Sequence, residues 1–509
     1  MSCSPRPDDI NLDNRATLSQ ESQNINGDVA ESTMANDEES SLLGCGGQSK
    51  FGKSFGTTSN SPNSPPTLPL FTPLQYWKNL IVVSVAFMLI MSAFDALANL
   101  QSTLNSSSGL GVASLFALYV GLTISSFVTP LIVWLLSVKR TLVVCCFFYA
   151  LYTATNFYPE VYTLIPAAGL LGIAAAPFWA AANTYVTTSA IQLADVTGDV
   201  SETVINRFNG VFFCFCRSAQ VWGNLISSLV LHDTSTAVTG DHCGRDSCGQ
   251  RNSFDIIIPK GGGHVPDKQV FGLLSIYIGI GLLAVAILTF LLDRLPRMSN
   301  QDNGALRIQV CDHLTSTFRL MRCPYLLLLI PIIIYSGAEQ AFISADFTQS
   351  FVSCTQGPGM VGYVMIGYGG ANALASVIFG QLEEYTCRIA IFMFGGLLHL
   401  ALMIVFQVWN PLTSAVWQLI LMAVGWGVGD SVLRTQINSI LGVLFSDAQE
   451  PAFANLRLWK SLGFAVTYAI TIPHVICVTA EIYGLMALLT FSLVCYIFME
   501  YALLRLSRR

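Results

Sequence analysis

Apolar runs long enough to cross ~30 Å of hydrocarbon, about 20 residues each, recur along this chain beyond a polar beginning. They fall near 79–100, 111–137, 141–158, 161–185, 208–231 and 270–292, and again near 324–346, 359–381, 388–408, 412–434, 453–473 and 481–504. The pattern predicts twelve membrane helices, six on each side of a polar interval at 294–323. Pro130, Pro166, Pro177 and Pro331 lie inside or near spans, where neighbouring helices of a bundle satisfy the backbone groups a proline frees. The expected fold is an all-α, major-facilitator-like bundle of two six-helix halves, 76–293 and 324–504.

Residues 1–75 read differently. They are rich in Ser, Asn, Asp, Glu, Gly and Pro, a composition that buries too little apolar surface to offset the ordering of its backbone. A disordered tail is predicted, without the n-region and h-region of a cleaved signal. The first span then serves as its own signal anchor.

Orientation follows from the short loops. Lys139, Arg140, Arg207, Arg294, Arg297, Arg307, Arg319, Arg322, Arg388, Arg434, Arg457 and Lys460, with Arg505, Arg508 and Arg509 of the 505–509 tail, fall on one side. The opposite short loops, around 101–110, 347–358 and 474–480, carry no Lys or Arg. The basic side is therefore predicted to be cytosolic, with both termini. On the outer side, the Asn105-Ser106-Ser107 sequon is a glycosylation candidate, although so short a loop holds Asn105 close to the membrane. Cys243 and Cys248, in the long outer loop 232–269, are candidates for a local disulfide. The remaining cysteines read as small buried hydrophobes.

Composition agrees: 53% of the 509 residues are hydrophobic and 11% charged, with mean hydropathy +0.56. Soluble domains carry roughly 25% charged residues, so a water-exposed surface is excluded for most of this chain. No basic patch suggests a nucleic-acid partner. Membrane lipid is the expected surrounding.

The halves look like a repeat. Ser92-Ala93-Phe94-Asp95 in the first span matches Ser336-Gly337-Ala338-Glu339 in the seventh. The turn bearing Lys139-Arg140 matches the one bearing Arg388, and Gly380-x-Leu382-x-Glu384-x-x-x-Arg388 resembles the loop signature of the major facilitator superfamily. The first-half copy keeps the bases but has Leu135 where the acid belongs. Parallel halves about an axis along the membrane normal are expected.

Ionisable residues inside spans are costly and point to function. Asp95, Arg217, Glu339, Asp346, Asp430 and Arg434 form the candidate intramembrane charge network. An arginine as deep as Arg217 costs ~2.5–3.5 kcal/mol to insert and should find a carboxylate, Asp95 or Glu339. Either a substrate, proton or ion site or a network locking the halves accounts for them. Asp430 and Arg434, four apart, read as a local pair. Lys460 and Arg457 read as snorkelling to the basic interface, and Gln220, Asn224, Asn372, Gln436 and Asn438 as interhelical glue. No nucleophile elbow, Walker motif or ligand-spaced histidine pair is present, so a non-enzymatic role without cofactor or metal is expected.

In the tail, Glu38-Glu39-Ser40-Ser41-Leu42-Leu43 fits an acidic dileucine sorting signal, with Glu38, Leu42 and Leu43 as the residues a clathrin adaptor reads. Ser61-Pro62 and Ser64-Pro65 suit proline-directed phosphorylation. The plasma membrane or endolysosomal membranes are the expected locations.

From Phe71 onward the chain resembles the Unc-93 family, especially its Unc-93A-like branch. The resemblance is carried by Ala174-Ala175-Ala176-Pro177-Phe178-Trp179, by Arg217-Ser218-Ala219-Gln220-Val221-Trp222-Gly223-Asn224-Leu225 and by Ser344-Ala345-Asp346-Phe347-Thr348 with Cys354. Trp426-Gly427-Val428-Gly429-Asp430, Thr435-Gln436-Ile437-Asn438 and Phe453-Ala454-Asn455-Leu456-Arg457-Leu458-Trp459 complete it. It implies a major-facilitator-like fold whose members act through partner membrane proteins. One member acts as a regulatory subunit of a two-pore-domain potassium channel, and another branch chaperones nucleic-acid-sensing receptors. The leading expectation is a potassium channel regulatory subunit. The alternatives are a secondary transporter of an unknown solute and a trafficking chaperone for a partner receptor.

Overall fold

The computed structural model describes residues 71–105, 109–199, 201–231, 243–247, 267–295, 317–382, 386–409, 415–445, 449–472 and 476–507. Glu38, Leu42, Leu43, Ser61, Ser64, Cys248 and Glu384 lie outside them.

Twelve long helices appear among the described residues. They are α1 (Pro73–Leu104), α2 (Leu110–Leu136), α3 (Val138–Thr155), α4 (Val161–Thr197), α5 (Ser201–Val230) and α6 (Asp267–Phe290), then α7 (Pro324–Phe342), α8 (Gly359–Leu382), α9 (Arg388–Val408), α10 (Val416–Leu444), α11 (Gln449–Thr471) and α12 (Val478–Ser507). Nine are long and apolar enough to cross a membrane. The other three, α3, α5 and α11, are the ones that carry Lys139 and Arg140, Arg217, and Arg457 and Lys460.

Local chemistry sets the ends. Pro73 opens α1 at the position where a missing N–H costs nothing, and the Thr72 N–H donates to Gln75 Oε1 at 2.8 Å. α4 runs twelve residues past its expected end, 185, to Gly198, whose φ of 74° ends the helix in the left-handed region. α10 also outruns its expected end, 434, reaching Leu444, and α7 continues as a π-helical segment, Ile343–Ser353, to Gln356. A hydropathy window marks only the length that must sit in lipid. A helix continues beyond it because its hydrogen bonds are internal.

The halves repeat the same contacts with different residues. Gly172 of α4 lies against the Leu118 carbonyl of α2, and Gly427 of α10 against the Tyr368 carbonyl of α8; a Cβ at either would collide with backbone. Lys139, opening α3, donates to the carbonyls of Thr289 (2.8 Å) and Leu292 (2.5 Å) at the end of α6. Its counterpart Arg388, opening α9, pairs with Glu500 of α12 at 2.8 Å. We call the end that carries Lys139 and Arg388 the basic face and the opposite end the loop face.

Near the loop face the halves are packed together. Tyr119 of α2 stacks on Phe464 of α11 at 4.1 Å, within a core of Val112, Leu115, Ala341, Ala345, Phe464 and Tyr468. The Ser102 hydroxyl of α1 donates to the Ala345 carbonyl at 3.1 Å. Gly362 of α8 sits against the Asn224 carbonyl of α5.

The loop segment 243–247 is attached to the second half. Cys243 is bonded to Cys354, 111 residues away, with their Cα atoms 5.8 Å apart. This corrects the expected Cys243–Cys248 pair: the Cys243 sulfur is taken by Cys354, which the docking of this segment on the end of α7 brings to it. The Val478 N–H donates to the Ser247 carbonyl at 3.2 Å and the Thr479 hydroxyl to the Arg245 carbonyl at 2.7 Å. Arg245 in turn donates to the Gln407 carbonyl. Cys323, Cys387 and Cys477 are also disulfide-bonded, so they are not the small hydrophobes the sequence suggested.

Candidate functional site

The candidate network divides into three groups. The first is built on α10. Asp430 is 1% exposed and accepts from Gln340 of α7 (2.8 Å), Tyr368 (2.8 Å) and Asn372 (2.5 Å) of α8, and Arg434 one turn on (2.6 Å). Three of these donors meet Oδ2, while Gln340 alone meets Oδ1. Helical spacing places Trp426, Asp430 and Arg434 on one face.

Glu339 of α7 joins this group. Its Oε2 accepts from Trp426 Nε1 at 2.5 Å, its Oε1 receives no N–H or O–H donor, and its carboxyl lies beside that of Asp430. Behind them, the buried His399 of α9 stacks on Trp426 at 4.6 Å. His399 Nε2 lies 3.1 Å from the Trp426 carbonyl and Nδ1 2.9 Å from the Tyr335 hydroxyl. The carbonyl can only accept, so Nε2 carries the hydrogen and Nδ1 accepts from Tyr335.

The second group faces the first across a cleft. Arg217 of α5 is exposed although it sits mid-helix, and its electrostatic neighbours are Arg434, Asp430 and Tyr368 of the other half. Arg207, Gly210, Cys214 and Arg217 form an exposed stripe that runs to the basic end of α5. On the same stripe Asn224 and Ser228 are buried. The cleft therefore opens at the basic face and is closed towards the loop face. Its closure includes Asn99 of α1, whose Nδ2 donates to Asn224 at 3.2 Å and to Gln220 at 3.4 Å.

Asp95 lies one turn below Asn99, within electrostatic reach of Arg217 and Arg434. Arg217 and Asp95 do not form an ion pair, and among the described residues Arg217 bonds to no carboxylate, contrary to the expected pairing with Asp95 or Glu339. Lys460 of α11 has Arg434, Asp430, Glu339 and Arg217 as its electrostatic neighbours. It belongs to the cleft and does not snorkel. The carboxylates that surround it outweigh the reach to the interface that its stem would allow.

Asp346 stands apart from both groups. It lies on the π segment near the loop face, where it accepts from the Thr471 hydroxyl at 3.0 Å and lies beside the carboxyl of Glu481. Asn105 is buried, and its Nδ2 donates to Gln101 (2.7 Å) and Asn156 (2.9 Å). Among the described residues no group of three or more His, Cys, Asp or Glu side chains is arranged to hold a metal ion.

The sequence reading missed Gln340, Tyr368, Trp426, His399 and Glu481. Only Trp426 carried a visible signal, standing one turn before Asp430.

With this geometry in view, the comparisons with known proteins decide the family. The family described as ion channel regulatory protein UNC-93 matches residues 101–497. The chain belongs to the Unc-93 family. Unc-93 homolog A of Xenopus laevis is 38% identical over 436 residues, covering 83% of this chain and 93% of that protein. The Homo sapiens homolog A is 37% identical over 422 residues, 82% and 92% of the two chains. A Caenorhabditis elegans relative, named as a candidate potassium channel regulatory protein, is 33% identical over 421 residues, 80% of this chain and 58% of that one. Two solved structures share the fold: the nucleoside transporter NupG (TM-score 0.57, 12% identity, 84% and 99% covered) and a D-xylose–proton symporter (TM-score 0.57, 10% identity, 83% and 97% covered). This Unc-93 protein is a multi-pass membrane protein with a major-facilitator-like bundle.

Proposed function

We propose that this Unc-93 protein is a non-enzymatic regulatory subunit of a potassium channel complex, of the two-pore-domain type, with its basic face and both termini in the cytosol. The observation that supports this reading best is the sealed loop face. Alternating access requires one half of a major-facilitator bundle to rock against the other. Here the closure combines a stacked Tyr119–Phe464 pair, the Ser102–Ala345 hydrogen bond and a loop segment tied by Cys243–Cys354 to α7. A loop face closed in this way suits a scaffold that binds a partner. The name of the Caenorhabditis elegans relative points the same way.

The test is co-expression with the two-pore-domain potassium channels of the same organism, followed by capture of the intact membrane complex and mass spectrometry. Channel subunits should co-purify, and current or surface level should change. If no channel subunit is captured and no current changes, the proposal fails. A secondary transporter is the second reading, favoured by the unpaired Arg217 in an open cleft. It predicts solute uptake by liposomes holding the purified protein, and loss of that uptake in Asp95→Asn.

A further inference from the structure

We propose that the cleft between the halves is a binding site for a small soluble oxyanion, a solute carrying a carboxylate or phosphate group, that enters from the basic face. Three donor groups converge there without acceptors. Arg217 of α5 is exposed in the cleft and, among the described residues, makes neither a hydrogen bond nor an ion pair. Lys460 of α11 is half-buried and in the same situation. Arg434 of α10 gives one nitrogen to Asp430, while its Nε is buried with no acceptor.

The nearby carboxylates do not supply what these groups lack. Asp430 already accepts four hydrogen bonds. Glu339 is 1% exposed and its Oε2 is held by Trp426. Asp95 faces Arg217 and Arg434 but bonds to neither. A donor buried without an acceptor, as Arg434 Nε is, is costly, and an oxyanion seated between α5, α10 and α11 would face all three cations. A guanidinium fork suits carboxylate and phosphate geometry in particular.

The depth of the site favours a solute over a lipid headgroup. Arg217 lies nine residues beyond the expected start of its span at 208, roughly 14 Å at 1.5 Å per residue. A headgroup tethered at the leaflet would have to travel that far into the bundle. The inference does not depend on the channel proposal.

The experiment uses the full chain in phosphatidylcholine nanodiscs and follows thermal unfolding with sodium phosphate or sodium succinate, against sodium chloride at equal ionic strength. Saturable stabilisation by phosphate or succinate, beyond that by chloride, is expected. Arg217→Gln and Lys460→Gln should each weaken the apparent affinity about tenfold or more, the loss expected for a charge-assisted hydrogen bond. Asp95→Asn should strengthen it by removing a like charge, an effect that a merely structural role would not produce. Arg140→Gln, exposed outside the cleft, should match the unmodified protein. Should Arg217→Gln not fold, Arg217→Lys keeps the charge, loses the fork and should give an intermediate loss. The proposal is overturned if neither anion stabilises saturably, if the Gln variants respond like the unmodified protein, or if stabilisation appears only with phosphatidylserine in the nanodisc.

Discussion

Asp430→Asn should destabilise the second half by about 3–5 kcal/mol, the cost of leaving a buried ion-pair partner uncompensated. The substitution keeps the volume of a side chain that is 1% exposed, so packing is not the cause. Asp430 receives donors from Gln340, Tyr368, Asn372 and Arg434. An asparagine offers one acceptor oxygen and turns two N–H groups towards the rest, so either Gln340 or the trio of Tyr368, Asn372 and Arg434 loses its acceptor. Interhelical polar contacts in membranes are worth on average ~0.6 kcal/mol each, which makes those losses the smaller part. The larger part is Arg434, only 16% exposed at its side chain and left without its carboxylate. The assay is unfolding of the purified protein by sodium dodecyl sulfate in mixed micelles, run as a double-mutant cycle with Arg434→Gln. The double variant should lose clearly less than the two singles summed, because removing both charges leaves neither stranded. Glu339→Gln should stay within about 1 kcal/mol of the unmodified protein, in the range of one net hydrogen bond, since its amide can donate to Asp430 while its oxygen still accepts from Trp426. Asp430→Asn within about 1 kcal/mol of the unmodified protein, or strict additivity in the cycle, would refute the reasoning.

Two further outcomes follow from the same geometry. Cys243→Ser and Cys354→Ser should each abolish one bridge, so that thiol labelling of the denatured protein finds one newly free cysteine on the remaining partner, and the loop segment should become more accessible to protease. Unchanged labelling would refute the Cys243–Cys354 pairing. Ser137 joins α2 to α3 with φ 66° and ψ 153°, a region used almost only by glycine and costing about 1–3 kcal/mol for other residues. Ser137→Gly should therefore raise the melting temperature, and a fall would show that the serine's own contacts outweigh the strain.

Hydropathy made much of this protein legible from its residues alone. Apolar length reports transfer into lipid, which is a property of each segment by itself, so the twelve helices could be located without knowing their neighbours. Family membership was legible for a related reason: stretches such as Trp426-Gly427-Val428-Gly429-Asp430 carry their signal in local order. The Asp430–Arg434 pair could also be read, because four residues of helix bring two side chains to one face.

What depended on the tertiary structure was every relation between helices. Lys460 reads as a snorkelling residue along α11, and only the approach of α7 and α10 brings Glu339, Asp430 and Arg434 to it. Arg217 reads as a cation in search of a carboxylate, yet the carboxylate across the cleft already takes donors from α7, α8 and α10. Cys243 reads with its neighbour Cys248, but its sulfur meets Cys354, brought near by the fold across 111 residues. Sequence alone determined which segments lie in the membrane, because lipid acts on each segment separately. Which faces meet, which charges are satisfied and which remain open to a ligand were decided by packing, because a hydrogen bond needs two groups in one place.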